Sequence, residues 1–145
     1  FCAIHLDRIQ PVMDAEKVLE QIAESGVYMA VVSNKTGRYL RDEVEHLGWN
    51  GYFSRIIGAT DVDEDKPSPK PVYAALEGSN ITPDASVWLV GDSATDIETA
   101  LNASCIPHFF GEAEIPEHYQ SDKRIQHPMP HYRNHRELHD AVKHF

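Results

Sequence analysis

Apolar and polar positions change along this chain in blocks, and each block has a recognisable period. Val18, Leu19, Ile22 and Ala23 recur at helical spacing on one face, with Asp14 placed to cap the helix and Gly26 to stop it. Val27 to Val32 is then an unbroken apolar run rich in β-formers, the pattern of a strand buried on both faces, and Ser33-Asn34 ends it. Leu40, Val44 and Leu47 mark a second helix before Gly48, and Arg55 to Gly58 reads as a second short strand. After a polar stretch from Asp61 to Lys70, Pro71 stands where a helix begins, with Val72, Ala75 and Leu76 turned inward. Val87 to Val90 is a third strand, followed by Gly91-Asp92-Ser93 and a helix from about Thr95 to Ala103. Ile106 to Phe110 makes a fourth strand. Residues 111–130 are weakly patterned and read as loop, and a last helix starts near Asn134 with Leu138, Ala141 and Val142 inward. Strands alternating with helices at this spacing predict parallel crossovers, hence an α/β fold: a Rossmann-like parallel sheet with helices on both faces.

Composition narrows the partners. The 145 residues, 41% hydrophobic, suffice for one domain with its own core. Thirteen Lys and Arg against 23 Asp and Glu give a net charge of −10, which argues against a nucleic-acid partner, since phosphates need a basic surface. The longest apolar run, Val27 to Val32, is far short of the ~18 residues of a membrane span. Two cysteines, Cys2 and Cys105, make no disulfide framework, so a reduced, cytoplasmic setting is expected. Nothing in the pattern sets an oligomeric state.

In an open parallel sheet, chemistry gathers outside the carboxyl ends of the strands, so the informative residues are those just after each apolar run. Three places qualify: Ser33-Asn34-Lys35, Asp65-Lys66-Pro67-Ser68-Pro69, and Gly91-Asp92-Ser93-Ala94-Thr95-Asp96. A hydroxyl and backbone N–H groups at a helix start, with a lysine, suit a phosphate dianion. Carboxylates four apart around a turn into a helix suit Mg²⁺, which takes few oxygen ligands and keeps its waters. Together they describe a magnesium-dependent phosphate site.

With Val31-Val32-Ser33-Asn34-Lys35, Lys66-Pro67-Ser68-Pro69 and Val90-Gly91-Asp92-Ser93-Ala94-Thr95-Asp96-Ile97 in this order and spacing, the sequence resembles the haloacid dehalogenase-like hydrolases over roughly residues 11 to 110. It looks most like the phosphoglycolate phosphatase-like members, in which Ser-Asn-Lys after the strand is common. The resemblance implies a Mg²⁺-dependent phosphatase acting on a small phosphorylated metabolite through an aspartyl-phosphate. Ser33 and the backbone N–H of Asn34 would hold phosphoryl oxygens, and Lys66 would offset the charge of nucleophile and phosphate. Asp92 would ligate Mg²⁺, and Asp96 would complete or orient that site. A dehalogenase reading is disfavoured, because halide displacement has no need of the metal carboxylate that Gly91-Asp92 supplies.

The sequence departs from the family in one place. The nucleophile element, an apolar strand followed by Asp-x-Asp-x-Thr, does not occur in it. Asp7 follows the faintly strand-like Ala3-Ile4-His5-Leu6, but Ile9 stands where the second aspartate belongs and Gln10-Pro11 replaces the small turn. Residues 1–10 are therefore read as the end of a cap and its return linker, and 11–145 as a core domain whose first strand and nucleophile lie upstream. The competing reading is a non-catalytic half-domain that binds phosphate or a protein partner.

Each site residue also has an ordinary structural explanation. Ser33 can cap the next helix, Lys66 can be a solvated loop lysine with Lys70 competing for its role, Asp92 can be a turn residue, and Asp96 can stabilise a helix dipole. Asp61, Asp63, Glu64 and Asp65 read as a solvated acidic loop. His131, His135 and His139, spaced four apart, would form a stripe on a helix, but Asn134 as the helix start leaves His131 outside; a solvated face is expected rather than a metal site.

Overall fold

The computed structural model describes residues 2–4 and 13–145. Its six strands are β1 (Cys2–Ile4), β2 (Met29–Thr36), β3 (Arg55–Ala59), β4 (Trp88–Gly91), β5 (Ile106–Phe110) and β6 (His131–Tyr132). They form one sheet in the order β3-β2-β1-β4-β5-β6, and every neighbouring pair is parallel. This is the doubly wound strand order, with its reversal beside β1. The helices are α1 (Met13–Glu24), α2 (Gly37–His46), α3 (Lys70–Leu76), α4 (Ala94–Asn102) and α5 (His135–Val142).

Strand alternation sorts the core into two layers. Met29 and Val31 of β2 and Val90 of β4 pack with Val18, Leu19 and Ile22 of α1, Leu40 and Val44 of α2, and Leu138 and Val142 of α5. Ala30 and Val32 point the other way and pack with Ile57 of β3 and Ala75 of α3. Leu89 joins Val72 and Leu76 of α3 and Ala100 of α4 on that second face. The continuous run Met29–Val32 is thus apolar because both of its faces are covered.

Two expectations change. The sequence puts the first strand upstream and reads residues 1–10 as the end of a cap and its return linker. Instead Cys2–Ile4 fills the central slot, with Ile4 paired to Val31 on one side and Val90 on the other. A slot lined by unpaired backbone donors and acceptors on both sides strongly favours a strand-forming segment, and the short apolar run Ala3-Ile4 meets that need. Asp7 lies outside the described residues. Second, β2 does not end at Ser33-Asn34 but runs on to Thr36.

Smaller differences follow from local chemistry. Helix α1 begins at Met13, so Asp14 falls in its first turn rather than ahead of it. The stretch after β5 is mostly loop but holds a 3₁₀ turn, Glu117–Ser121, whose Tyr119 is buried against Ile97 and Phe109. His131 lies in β6, with its Nε2 2.7 Å from the carbonyl oxygen of Gly111, while His135 opens α5 and packs on Phe110. The histidine stripe is therefore divided between two elements. Asn134 does cap α5, accepting from the N–H of Glu137 at 3.0 Å.

His108 on β5 is enclosed at 5% exposure. Its ring stacks on Trp88 at 4.1 Å, and its Nδ1 lies 2.9 Å from the hydroxyl oxygen of Tyr132. Burial lowers its pKa to about 4. Unfolded, the same imidazole takes up a proton near pH 6.5. The neutral ring's contribution is therefore full above pH 6.5 and is lost as pH falls to about 4, a change on the order of 3 kcal/mol. Urea unfolding at a series of pH values is expected to show this loss in the unsubstituted chain and to lack that component in His108→Phe.

Candidate functional site

Parallel register sets the level of the site. Ser33 and Asp92 each stand two residues beyond the partners of Ile4, at the carboxyl end of β2 and β4 on either side of β1. The two strands are parallel to the strand between them, so both residues reach the same sheet end, at the point where strand order reverses.

At the end of β2 the ladder is irregular. From Val32 to Thr36 the strand advances four residues while its partner β3 advances two, from Ile57 to Ala59. This excess bulges Ser33, Asn34 and Lys35 out of the regular ladder, a device that re-aims side chains. Ser33 is buried, and its Oγ accepts from the N–H of Lys35 at 3.1 Å. It does not cap α2, whose N-cap is Thr36. Lys35 pairs with Glu43 of α2.

Asn34 reaches across to the Lys66 loop. Its Oδ1 accepts from the N–H of Lys66 at 3.1 Å, and its Nδ2 donates to the carbonyl of the same residue at 3.2 Å. The Lys66–Pro67 peptide bond is cis, and the Pro67 carbonyl accepts from Asn102 Nδ2 at 2.9 Å.

Lys66 and Asp96 form the buried heart of the site. Lys66 Nζ lies 2.6 Å from Asp96 Oδ1, and both side chains are 2% exposed. The other carboxylate oxygen of Asp96 accepts from the N–H of Asp92 at 3.0 Å, the N–H of Ser93 at 3.2 Å and the hydroxyl of Ser93 at 2.9 Å. Ser93 in turn caps α4 by accepting from the N–H of Asp96, completing a reciprocal capping box. Gly91 must be glycine here, since a Cβ would sit 2.4 Å from Asp96 carboxylate atoms. Lys70, the alternative lysine, is exposed and bound to Asp63 at 2.8 Å and Glu64 at 3.2 Å. The acidic residues Asp61, Asp63, Glu64 and Asp65 are exposed, as expected; Asp61 in addition holds Arg41 at 2.7 Å and the N–H of Gly58 at 2.7 Å, and the Arg41 hydrogen bond lowers its pKa.

The outer side of α4 is clamped by the loop after β5. Glu98 accepts from Tyr119 Oη at 2.7 Å and from Arg124 at 3.0 Å, bonds that hold its carboxyl below the usual range. Sequence reasoning missed this clamp and the side-chain target of Asn34, because each joins residues more than twenty positions apart. The Ser93–Asp96 capping box was legible as Ser-x-x-Asp ahead of an apolar run.

An exposed carboxylate at a strand end is a ligand of the kind Mg²⁺ uses. Asp92 is exposed at the strand end, while both oxygens of Asp96 are engaged by protein donors, which suits Asp96 to orienting the Asp92 turn rather than to ligation. A single carboxylate supplemented by waters and a substrate phosphate is an arrangement Mg²⁺ accepts. Among the described residues no group of three or more His, Cys, Asp or Glu is placed to hold a metal alone.

The sequence model of the haloacid dehalogenase-like hydrolases matches residues 2–106. The chain belongs to that family. It is 39% identical over 93 residues to the phosphoglycolate phosphatase of Pectobacterium atrosepticum, a match covering 64% of this chain and 39% of that one. The phosphoglycolate phosphatase of Aquifex aeolicus is 35% identical over 94 residues, covering 65% and 44%. The chain thus spans less than half the length of these relatives. Among solved structures, a HAD-superfamily hydrolase from Ehrlichia chaffeensis superposes with a TM-score of 0.77 at 32% identity, over 95% of this chain and 62% of that one. A core domain from Streptococcus pneumoniae TIGR4 shares the fold with a TM-score of 0.65 at 21% identity, over 92% and 85%.

Removing one partner of a buried ion pair leaves the other charge stranded. Asp96→Ala is expected to lower stability by about 3–5 kcal/mol in urea unfolding. Adding Lys66→Met to Asp96→Ala should recover part of that loss, because the stranded ammonium is removed while the donors of the Asp92-Ser93 turn still lack their acceptor.

Proposed function

We propose that this chain is the core of a Mg²⁺-dependent phosphomonoesterase acting on a small phosphorylated metabolite through an aspartyl-phosphate. The observation that carries the reading is the connected series Asn34, Lys66, Asp96 and Asp92 at the sheet end that also bears Ser33. Ser33 and the backbone N–H of Asn34 bind phosphoryl oxygens. Lys66 offsets the repulsion between an anionic phosphate and an anionic nucleophile, an effect large in a site that excludes water. Asp92 holds Mg²⁺, which when bound supplies further positive charge against the phosphoryl oxygens. Asp96 fixes both Lys66 and the turn that carries Asp92. The similarity to phosphoglycolate phosphatases favours a small, doubly anionic substrate, and the buried, unpaired Cys105 accords with a reduced, cytoplasmic setting.

The nucleophile and its acid–base neighbour are proposed to come from an Asp-x-Asp-x-Thr element outside these 145 residues, since the sequence holds none, and in the longer protein the strand of that element would take the central slot that Cys2–Ile4 fills here. Phosphate release from p-nitrophenyl phosphate with Mg²⁺ tests this. The 145-residue chain is expected to be inactive and a version extended upstream active. Turnover by the short chain, abolished in Asp7→Asn, would place the nucleophile inside it. Turnover by neither would leave the phosphate-binding half-domain as the better reading. In the active form, Asp92→Asn is expected to raise the Mg²⁺ concentration needed for half-maximal rate, and Lys66→Ala to cut kcat by about 100-fold or more. Unchanged kinetics in both variants would refute the assigned roles.

A further inference from the structure

Asn34 sits where a substrate contact is expected, yet its side chain is turned to another task. The two hydrogen bonds to Lys66 use both ends of the amide, and they fix its orientation: only Oδ1 can accept from the Lys66 N–H, and only Nδ2 can donate to the Lys66 carbonyl. Three side chains among the described residues hold the segment that carries this lysine. Asn34 grips its main chain from β2, Asp96 grips its ammonium from α4, and Asn102 grips the carbonyl of the next residue from the end of α4. Asn34 is the only one of the three that ties the lysine to the strand carrying Ser33.

We infer that the Asn34 side chain is a positioning residue, which sets the place of the Lys66 ammonium relative to the Ser33 loop and makes no contact with the organic part of the substrate. The inference rests on the phosphatase reading and deepens it. Few side chains can substitute. Aspartate keeps the acceptor for the Lys66 N–H but meets its carbonyl with a second acceptor. Serine makes one of the two bonds, and glutamine carries the amide one methylene too far. A fixed ammonium matters because electrostatic catalysis depends on charge already in place when the phosphoryl group arrives.

The test uses Asn34→Ala in the active, upstream-extended protein and a series of phosphomonoesters that differ only in their organic part. A positioning role lowers kcat about 10- to 100-fold for every ester, as small displacements of a catalytic group do, and keeps their order of preference. A substrate contact instead raises KM for some esters more than others and reorders the series, which would overturn the inference. Amide hydrogen exchange, read by NMR on the same protein, is a second arm independent of turnover. Exchange at the Lys66 N–H is expected to be about 10-fold or more faster in Asn34→Ala, with the amides of β2 before Ser33 unchanged. Unaltered exchange at Lys66 would also overturn it. Absence of turnover in the unsubstituted protein would sink the phosphatase reading, while the exchange result would still decide whether the clasp exists.

Discussion

A lysine and an aspartate, thirty positions apart and almost wholly shielded from water, hold this site together. Lys66 and Asp96 come from separate layers of the chain: one from the loop between β3 and α3, the other from the first turn of α4. Bringing two charges out of water is costly, and their attraction repays that only when every remaining lone pair is met. Here Asp96 meets that condition. One oxygen takes the ammonium, and the other takes three donors from the Asp92-Ser93 turn. The pair therefore does more than neutralise itself. It dictates the conformation of the turn after β4 and, through Gly91, which residues that turn can hold.

The sheet supplies the frame for this arrangement. β2 and β4 are not neighbours in the sheet; they are joined through β1, whose three residues pair with both. Ser33 and Asp92 share a level only because that central strand keeps the two halves in register. The halves are further tied above the sheet by Asn34 and Asn102, which hold the Lys66–Pro67 segment from opposite sides. Of the proposed site groups, Ser33 and Asp92 thus stand at strand ends, while Lys66 stands on a loop that Asn34, Asp96 and Asn102 hold in place, and the longer loop after β5 serves as an outside support. Tyr119 and Arg124 show the latter role, bracing α4 from a loop that carries none of the proposed chemistry.

What was legible in the sequence was what is local. Val27–Val32 and Val87–Val90 announce buried parallel strands, and such strands put chemistry at their carboxyl ends, so the pattern alone singles out Ser33 and Asp92. Local pattern left Lys66 and Lys70 competing, with only the resemblance through Lys66-Pro67-Ser68-Pro69 favouring the first, and the fold separates them physically: one lysine is enclosed, the other lies in an acidic surface loop. Less legible were contacts between distant residues. Nothing near Asn34 announces a target 32 positions on. Two-residue β6 is too short to carry a period, and Cys2–Ile4 is read as a strand only once the slot between β2 and β4 is known. Tyr119 lies in a stretch with no regular pattern, and its burial depends on the site helix beneath it.

The irregular end of β2 bears on how such a chain can change length. The regular pairing of Ala30, Val31 and Val32 with Arg55, Ile56 and Ile57 is complete before the excess begins, and a bulge absorbs extra residues without shifting the strand that precedes it. Residues gained or lost between Val32 and Thr36 would therefore leave the buried part of β2 in register and change instead where Ser33, Asn34 and Lys35 point. The junction is a place where the site can vary while the core does not.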